Sequence, residues 1–272
     1  MLLKANDFSS WPHFAQPENV ELCLDKCLEQ MKLDYVDLYL AHWPMAWKPE
    51  SQEALKKAKA GPNTSREDKG QLYENDSPVV DWEHTASDIA KRKGQKGSFV
   101  PTWKAMQETV RKDKARAVGV SNFSIPNIQE LLQHAKDIPI SCNQVEVHPW
   151  LPQTELIAFC QKNGIIVTCY SPFAGQKADG ATLLKDEKIN ELAKKNGVDV
   201  GQLLQSWAVQ RGTVPLGKSA TPARIKSNFK VRRLSDEDML AINDLAMKGD
   251  EGRTVDFRED WGVPLFYNDP AE

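Results

Sequence analysis

The chain has 272 residues, with 35 Lys and Arg against 38 Asp and Glu, for a formal net charge of −3 at pH 7. With a sequence pI of about 6.0, this balance argues against nucleic acid or an anionic membrane surface as the main partner. Five cysteines (Cys23, Cys27, Cys142, Cys160, Cys169) are an odd count at spacings that match no zinc template, and no apolar run approaches the about 18 residues of a membrane span, so a reduced, cytosolic chain with no metal site is expected.

Residues 1–14 show neither a helical nor a strand period. Pro17 opens a helix at a first-turn position, with Glu18 behind it to suit the dipole, and Val20, Cys23, Leu24, Cys27, Leu28 and Met31 give it one apolar face. Residues 35–42 read as a buried strand ended by Trp43-Pro44. The stretch 46–97 is polar, interrupted by Gly61-Pro62 and Ser77-Pro78, and reads as a long polar loop insertion. Two readings stand for it: a solvated excursion, or a lid over a substrate mouth.

Strand and helix then alternate. Helices are expected over 102–112, 126–136, 156–162, 181–195 and 200–210, and strands over 115–120, 139–147, 165–170 and 213–216. Gly164 closes one helix as a left-handed cap. Ser235-Asp236-Glu237-Asp238 reads as a capping box for a last helix through Ala246, and the apolar tail 261–266 is expected to pack down. Such alternation predicts one α/β domain over 1–272, with a parallel sheet and outer helices. No GxGxxG follows a strand, which favours a barrel over a dinucleotide-binding doubly wound sheet.

In a barrel, chemistry gathers at the C-terminal ends of the strands. His42, Ser121-Asn122, Gln144, Tyr170-Ser171 and Lys218-Ser219 all fall at or just past such ends. A single strand-end His, Asn or Gln is ordinarily structural. Polar groups on five successive strands are harder to dismiss.

Read together, Asp37 to Pro44, Val118 to Asn122, Cys142 to Pro149 and Lys218 to Arg224 resemble the aldo-keto reductases. The resemblance implies a (β/α)8 TIM barrel that uses NADPH to reduce aldehyde and ketone groups of a small-molecule carbonyl substrate, sugar-derived aldehydes among them. The tail after Trp261 and the loop after His42-Trp43-Pro44 look like the fungal sugar and glyceraldehyde reductases. The resemblance assigns the nicotinamide carboxamide to Ser121, Asn122 and Gln144, and the ring face to Tyr170, with Ser171 and Phe173 beside it. The 2′-phosphate and adenine of NADPH fall to Lys218, Ser219, Arg224 and Asn228, and Arg supplies the planar fork that phosphate prefers. Gly217 stands where the family usually has Pro, and Ser227 where it usually has Glu. His148 has a family counterpart but reads as structural. Trp43, Trp47 and Trp261 line an apolar substrate mouth or simply pack as core, while Trp82 and Trp103 read as structural.

Of the family's four catalytic groups, His42 is present. The family's Asp and Tyr belong to a segment preceding anything in this sequence, and the Lys falls on Ser9 by alignment or on nearby Lys4. Five strands are expected, with a remnant of a sixth near residues 2–4, so the barrel reads as N-terminally truncated or incomplete. Three explanations remain: a fragment, a nucleotide-binding variant, or a chain completed by another polypeptide. The expected activity is accordingly impaired carbonyl reduction, with an NADP-binding sensor or scaffold as the alternative.

Overall fold

A computed structural model describes residues 8–10, 12–58, 68–177 and 179–266, side chains excepted at 8–10. The chain divides into two compact units, one running to Asn143 and resuming at Phe257, the other spanning Gln144–Asp256.

The first unit holds strands β1 (Phe8–Ser10), β2 (Tyr39–Ala41) and β3 (Val118–Ser121), with helices α1 (Pro17–Met31), α2 (Val100–Arg111) and α3 (Ile125–Leu132). Strands β1 and β2 pair in parallel, as do β2 and β3, with Ser9 opposite Leu40 and Leu40 opposite Gly119. Gly119 has a steric reason. A Cβ there would lie 2.6 Å from the Cys142 carbonyl and 2.8 Å from Leu40. Helix α1 starts at Pro17 and ends on Lys32 in the left-handed region, at φ 55°. Its apolar face buries Val20, Cys23, Leu24, Cys27 and Leu28, while Glu21 and Asp25 on its outer side take Lys114 at 2.7 and 2.6 Å. Side chains buried as completely as Leu24 or Met106 each contribute about 1.5–3 kcal/mol. Tyr39 donates its hydroxyl to the Val20 carbonyl at 3.0 Å, which joins the strand to the helix.

The polar stretch 46–97 carries more regular structure than its composition suggests. Ala46–Trp47 pairs antiparallel with Val80–Asp81. A hairpin joins Tyr73–Glu74 to Ser77–Pro78 through Asn75 and Asp76, both at positive φ, which suits a two-residue primed turn. Ser51 caps a short helix, Gln52–Lys57, accepting from the Ala54 N–H at 3.0 Å. Leu55 of that helix packs with Phe14, Cys23 and Cys27. At its other end Lys26 donates to the carbonyls of Lys56 and Ala58 at 2.6 and 2.8 Å, satisfying groups that a helix end leaves open.

The second unit contains the last residues of strand β4 (Cys142–Glu146), then β5 (Ile166–Tyr170) and β6 (Val214–Pro215). Between and after them lie α4 (Thr154–Lys162), α5 (Glu187–Lys195), α6 (Val200–Gln210), α7 (Pro222–Asn228) and α8 (Asp236–Asn243). Strands β5 and β6 are parallel, with Val214 opposite Thr168. Helix α5 begins later than the expected 181 because Asp186 caps it, accepting from the Ile189 N–H at 3.0 Å, and a 3-10 turn, Leu183–Lys185, fills the preceding stretch. Ser235 forms its half of the expected box, accepting from the Asp238 N–H at 3.1 Å. The Asp238 carboxylate turns instead to Lys195 at 2.7 Å and Asn196 at 2.9 Å. Among the described residues, no helix is long and apolar enough to cross a membrane.

Candidate active site

In the first unit, His42 follows directly on β2 and Ser121 ends β3. Asn122 adopts the left-handed region at φ 63°, a conformation that Asn tolerates better than most side chains. That turn aims its amide at two neighbours: Asn122 Nδ2 donates to the His42 carbonyl at 2.9 Å and to Ser121 Oγ at 3.2 Å. Ser121 and Asn122 are buried. Asn143, fully buried, holds the next residue from both sides, donating to the Phe123 carbonyl at 2.9 Å and accepting from its N–H at 3.4 Å. Burial lowers the His42 pKa to about 4. At neutral pH its ring is therefore an uncharged hydrogen-bonding group rather than an imidazolium.

Beside His42 stands an aromatic nest. Trp43 meets Trp261 edge to face at 5.1 Å, and Trp47 meets Trp261 at 5.0 Å, while Phe257 stacks on Trp261 at 4.7 Å and 13°. Trp43 and Trp47 are buried, as are Val263, Leu265 and Phe266 of the tail, and Trp261 is half-buried. By burial, Trp43 and Trp47 behave as core, which leaves Trp261 as the ring with an open edge. Gln16 fixes the nest from outside, donating to the Trp47 carbonyl at 2.8 Å and to Asp81 at 2.9 Å.

In the second unit, Gln144 is half-buried and sits two residues before the end of β4, not at it. The residue at the end is Glu146. This fully buried carboxylate accepts from the Thr254 N–H at 2.9 Å, the Thr254 hydroxyl, and the Val255 N–H at 3.2 Å, and lies 3.0 Å from His148 Nε2. Burial pushes its pKa up, but the hydrogen bonds from His148 and Thr254 outweigh that and hold it below the usual glutamate value. His148 is thus a structural partner, as its sequence context suggested. Thr254 extends the chain of contacts, accepting from the Gly175 N–H at 3.0 Å. Glu146 and Thr254 escaped the sequence reading, although a carboxylate inside the apolar run Val145-Glu146-Val147 was a signal.

Tyr170 ends β5, and burial raises its phenol above the ordinary tyrosine value, so it stays protonated and presents a neutral ring. Ser171 follows at φ 48°. Around Gly217 a Cβ would approach Gln205 Nε2 at 2.8 Å, Phe173 at 3.0 Å and Asn228 Nδ2 at 3.2 Å. Glycine in place of the family's proline therefore leaves room for the Gln205 and Asn228 amides against the Phe173 ring. That set of side-chain amides and one aromatic suits the edge and face of a nucleobase. Lys218 and Arg224 are exposed, and among the described residues neither forms an ion pair; Ser219 Oγ accepts from the Thr221 N–H at 3.1 Å. Two unpaired cations and a hydroxyl at the start of α7 suit a phosphate.

For the proton-donating pair, Lys4 lies outside the described residues, and Ser9 takes its place in β1 opposite Leu40. Tyr35 accepts from Arg116, Tyr39 donates to Val20, and Tyr267 lies outside the described residues. No group of His, Cys, Asp and Glu among the described residues forms a metal site.

Parallel strands joined through helices, with polar side chains at or near several of their C-terminal ends, are the arrangement of a β/α barrel enzyme. Comparison with known proteins gives the family: the Aldo/keto reductase family matches residues 2–246, and the chain belongs to it. It is 43% identical over 249 residues to "Aldehyde reductase YPR1" of Saccharomyces cerevisiae, covering 90% of this chain and 71% of that one. Similarity to "Glycerol 2-dehydrogenase (NADP(+))" of Hypocrea jecorina is 37% over 259 residues, covering 94% and 73%. The fold is also that of the aldose reductase from Giardia lamblia, with a TM-score of 0.74 at 28% identity over 94% of this chain and 76% of that one. The protein is an oxidoreductase.

Proposed function

We propose that this chain uses NADPH to reduce small aldehydes and ketones, polyhydroxylated aldehydes of the glyceraldehyde kind among them. The observation that carries the reading is the pinned strand-end group of the first unit, with a neutral His42 ring and Asn122 bonded to the His42 carbonyl at 2.9 Å. Relatives named for glycerol, D-galacturonate and D/L-glyceraldehyde support the substrate class, and those named for NADP(+) support the cofactor.

Lys218, Ser219 and Arg224 hold the 2′-phosphate, and Asn228 with Phe173 takes the adenine. Ser121, Asn122 and Gln144 fix the carboxamide, and the Tyr170 ring covers one face of the nicotinamide, with Ser171 as its backbone turn. When bound, the cofactor would supply the hydride that carbonyl reduction needs. His42 donates a ring N–H to the carbonyl oxygen, orienting it and stabilising the charge that develops there. Trp261, backed by the buried Trp43 and Trp47, forms the apolar side of the substrate mouth. The oxygen must also gain a proton. Ser9, in β1 opposite Leu40, stands where the resemblance puts the lysine of the acid pair, so in this reading the chain binds NADPH but turns over slowly. That observation also favours the second reading, an NADP-binding module that senses or scaffolds.

Titration of tryptophan fluorescence with NADPH and NADH tests the cofactor assignment. NADPH should bind more tightly, and Arg224→Ala should weaken it roughly tenfold or more, since a charge-assisted contact contributes about 1.5–3 kcal/mol. NADH should bind the variant as it binds the original. Equal affinity for both cofactors overturns the assignment.

A further inference from the structure

The acidic net charge hides an uneven distribution. Between Asp199 and Asp236 the chain contains seven cations (Arg211, Lys218, Arg224, Lys226, Lys230, Arg232, Arg233) and no Asp or Glu. Lys218 and Arg224 are accounted for by the cofactor phosphate. Lys226, Lys230, Arg232 and Arg233 are not; all four are exposed, and among the described residues none forms an ion pair.

Apolar side chains stand among these cations. Phe229 is 85% exposed, and Ile225 and Val231 are each 44% exposed. Ile225 lies on α7 and Phe229, in αR conformation, is its C-cap. The pair is spaced i,i+4, as is Lys226 with Lys230, so an apolar row runs beside a basic one. The backbone that carries them is fixed. Lys230 N–H donates to the Ser227 carbonyl at 2.8 Å, Arg232 N–H to Ser206 Oγ at 2.9 Å, and Leu234 N–H to Gln210 Oε1 at 3.0 Å, while the Leu234 side chain is buried. Of the neighbouring acids, Asp199 caps α6, accepting from Gln202 at 2.8 Å, and Glu237 and Asp238 face Lys195, leaving Asp236.

We infer that this face of the second unit docks reversibly on an anionic lipid bilayer, with Phe229, Ile225 and Val231 entering the interface and Lys226, Lys230, Arg232 and Arg233 facing the headgroup phosphates. Exposed apolar groups ringed by Lys and Arg are what such a surface attracts. A single-stranded nucleic acid fits less well. It would ask for several stacking rings, and two of the three apolar groups here are aliphatic. A second copy fits less well too, because a two-fold contact would bring like charges together. The inference stands apart from the cofactor assignment.

The test is co-sedimentation of the whole chain with vesicles of phosphatidylcholine and with vesicles carrying roughly one phosphatidylserine in four. Binding should require the anionic lipid and fade near about 0.5 M salt, where screening reaches within a few ångströms. Lys226→Glu with Lys230→Glu should cut partitioning roughly 25-fold or more, from about fivefold per cation removed. Phe229→Ser should weaken it while NADPH affinity and the circular dichroism spectrum stay as they were. Equal binding to neutral vesicles, indifference to charge reversal, tighter binding to a single-stranded RNA, or a dimer lost on Phe229→Ser each overturns the proposal. The lipid and salt dependence of the unmodified chain decides the matter even if a variant fails to fold.

Discussion

Buried rings that stay neutral set the acid limit of this protein. Burial holds His42 near about 4, and burial with the nearby Lys69 charge holds His13 near about 3. Both folded values lie below the unfolded one, so on acidification the unfolded chain takes up protons that the folded chain refuses. Stability is complete above about pH 6.5 and falls as pH drops toward these values, by about 1.4 kcal/mol per pH unit for each ring. Glu146, held below its ordinary value, adds to the loss at lower pH still. His84 runs the other way. Its bond to Asp81 raises it, so that contribution is present below the unfolded pKa and fades as pH rises past the folded one. Thermal unfolding followed from pH 8 to 4.5 should give a maximum near neutrality and a steep acid limb. His42→Gln should flatten that limb, and an unchanged melting temperature down to pH 4.5 would count against neutral buried rings.

At the scale of elements, the Glu146 contacts tie the end of β4 to the loop at Thr254-Val255. Thr254→Val removes one donor from a buried carboxylate and should cost about 1–3 kcal/mol in urea unfolding, with Thr254→Ser recovering most of it. Loss of equal size in the serine variant would mean that the methyl packing matters, not the hydrogen bond. Lys26→Met tests a second tie. It should loosen the Gln52–Lys57 helix and raise amide exchange there, while α1 exchange stays as before. The elements most legible in the sequence were those with a strong period. Helix α1 spans Pro17–Met31, where its apolar spacing put it; four parallel strands fall inside the expected runs, and a fifth, Val118–Ser121, oversteps its expected end by one residue. Phe8–Ser10 was not legible, because Phe8-Ser9-Ser10 has no run of apolar residues and gains its strand only by pairing with β2. The short elements of 46–97 were hidden for a related reason. Each rests on a cap, a turn or a lysine from elsewhere rather than on its own hydrophobic pattern.

For the whole molecule, binding and turnover should come apart. The residues proposed for the cofactor are all among those described, whereas Ser9 stands in β1 at the place the resemblance gives to the lysine of the acid pair. The polypeptide of this sequence should bind NADPH measurably yet reduce glyceraldehyde roughly 10²–10⁴-fold more slowly than the yeast relative, the range that follows loss of a general acid. Comparable rates from a monodisperse sample would show that another group delivers the proton. Position along the strands was legible in the sequence because polar residues interrupt apolar runs there. The Glu146–Thr254 bond was not, since its partners lie more than a hundred residues apart.

The aromatic nest has a consequence for how the protein is made. Trp47 and Trp261 lie 5.0 Å apart as rings but roughly 210 residues apart in the chain. On a ribosome adding about 5–20 residues per second, Trp43 and Trp47 emerge roughly 10–40 s before the side chains that cover them. For that interval the first unit waits unfinished, with two indoles uncovered while the whole second unit is synthesised. A nascent chain arrested with Asp256 just clear of the exit tunnel should leave both indoles open to iodide quenching and to capture by a chaperone. Extending it past Phe266 should protect them.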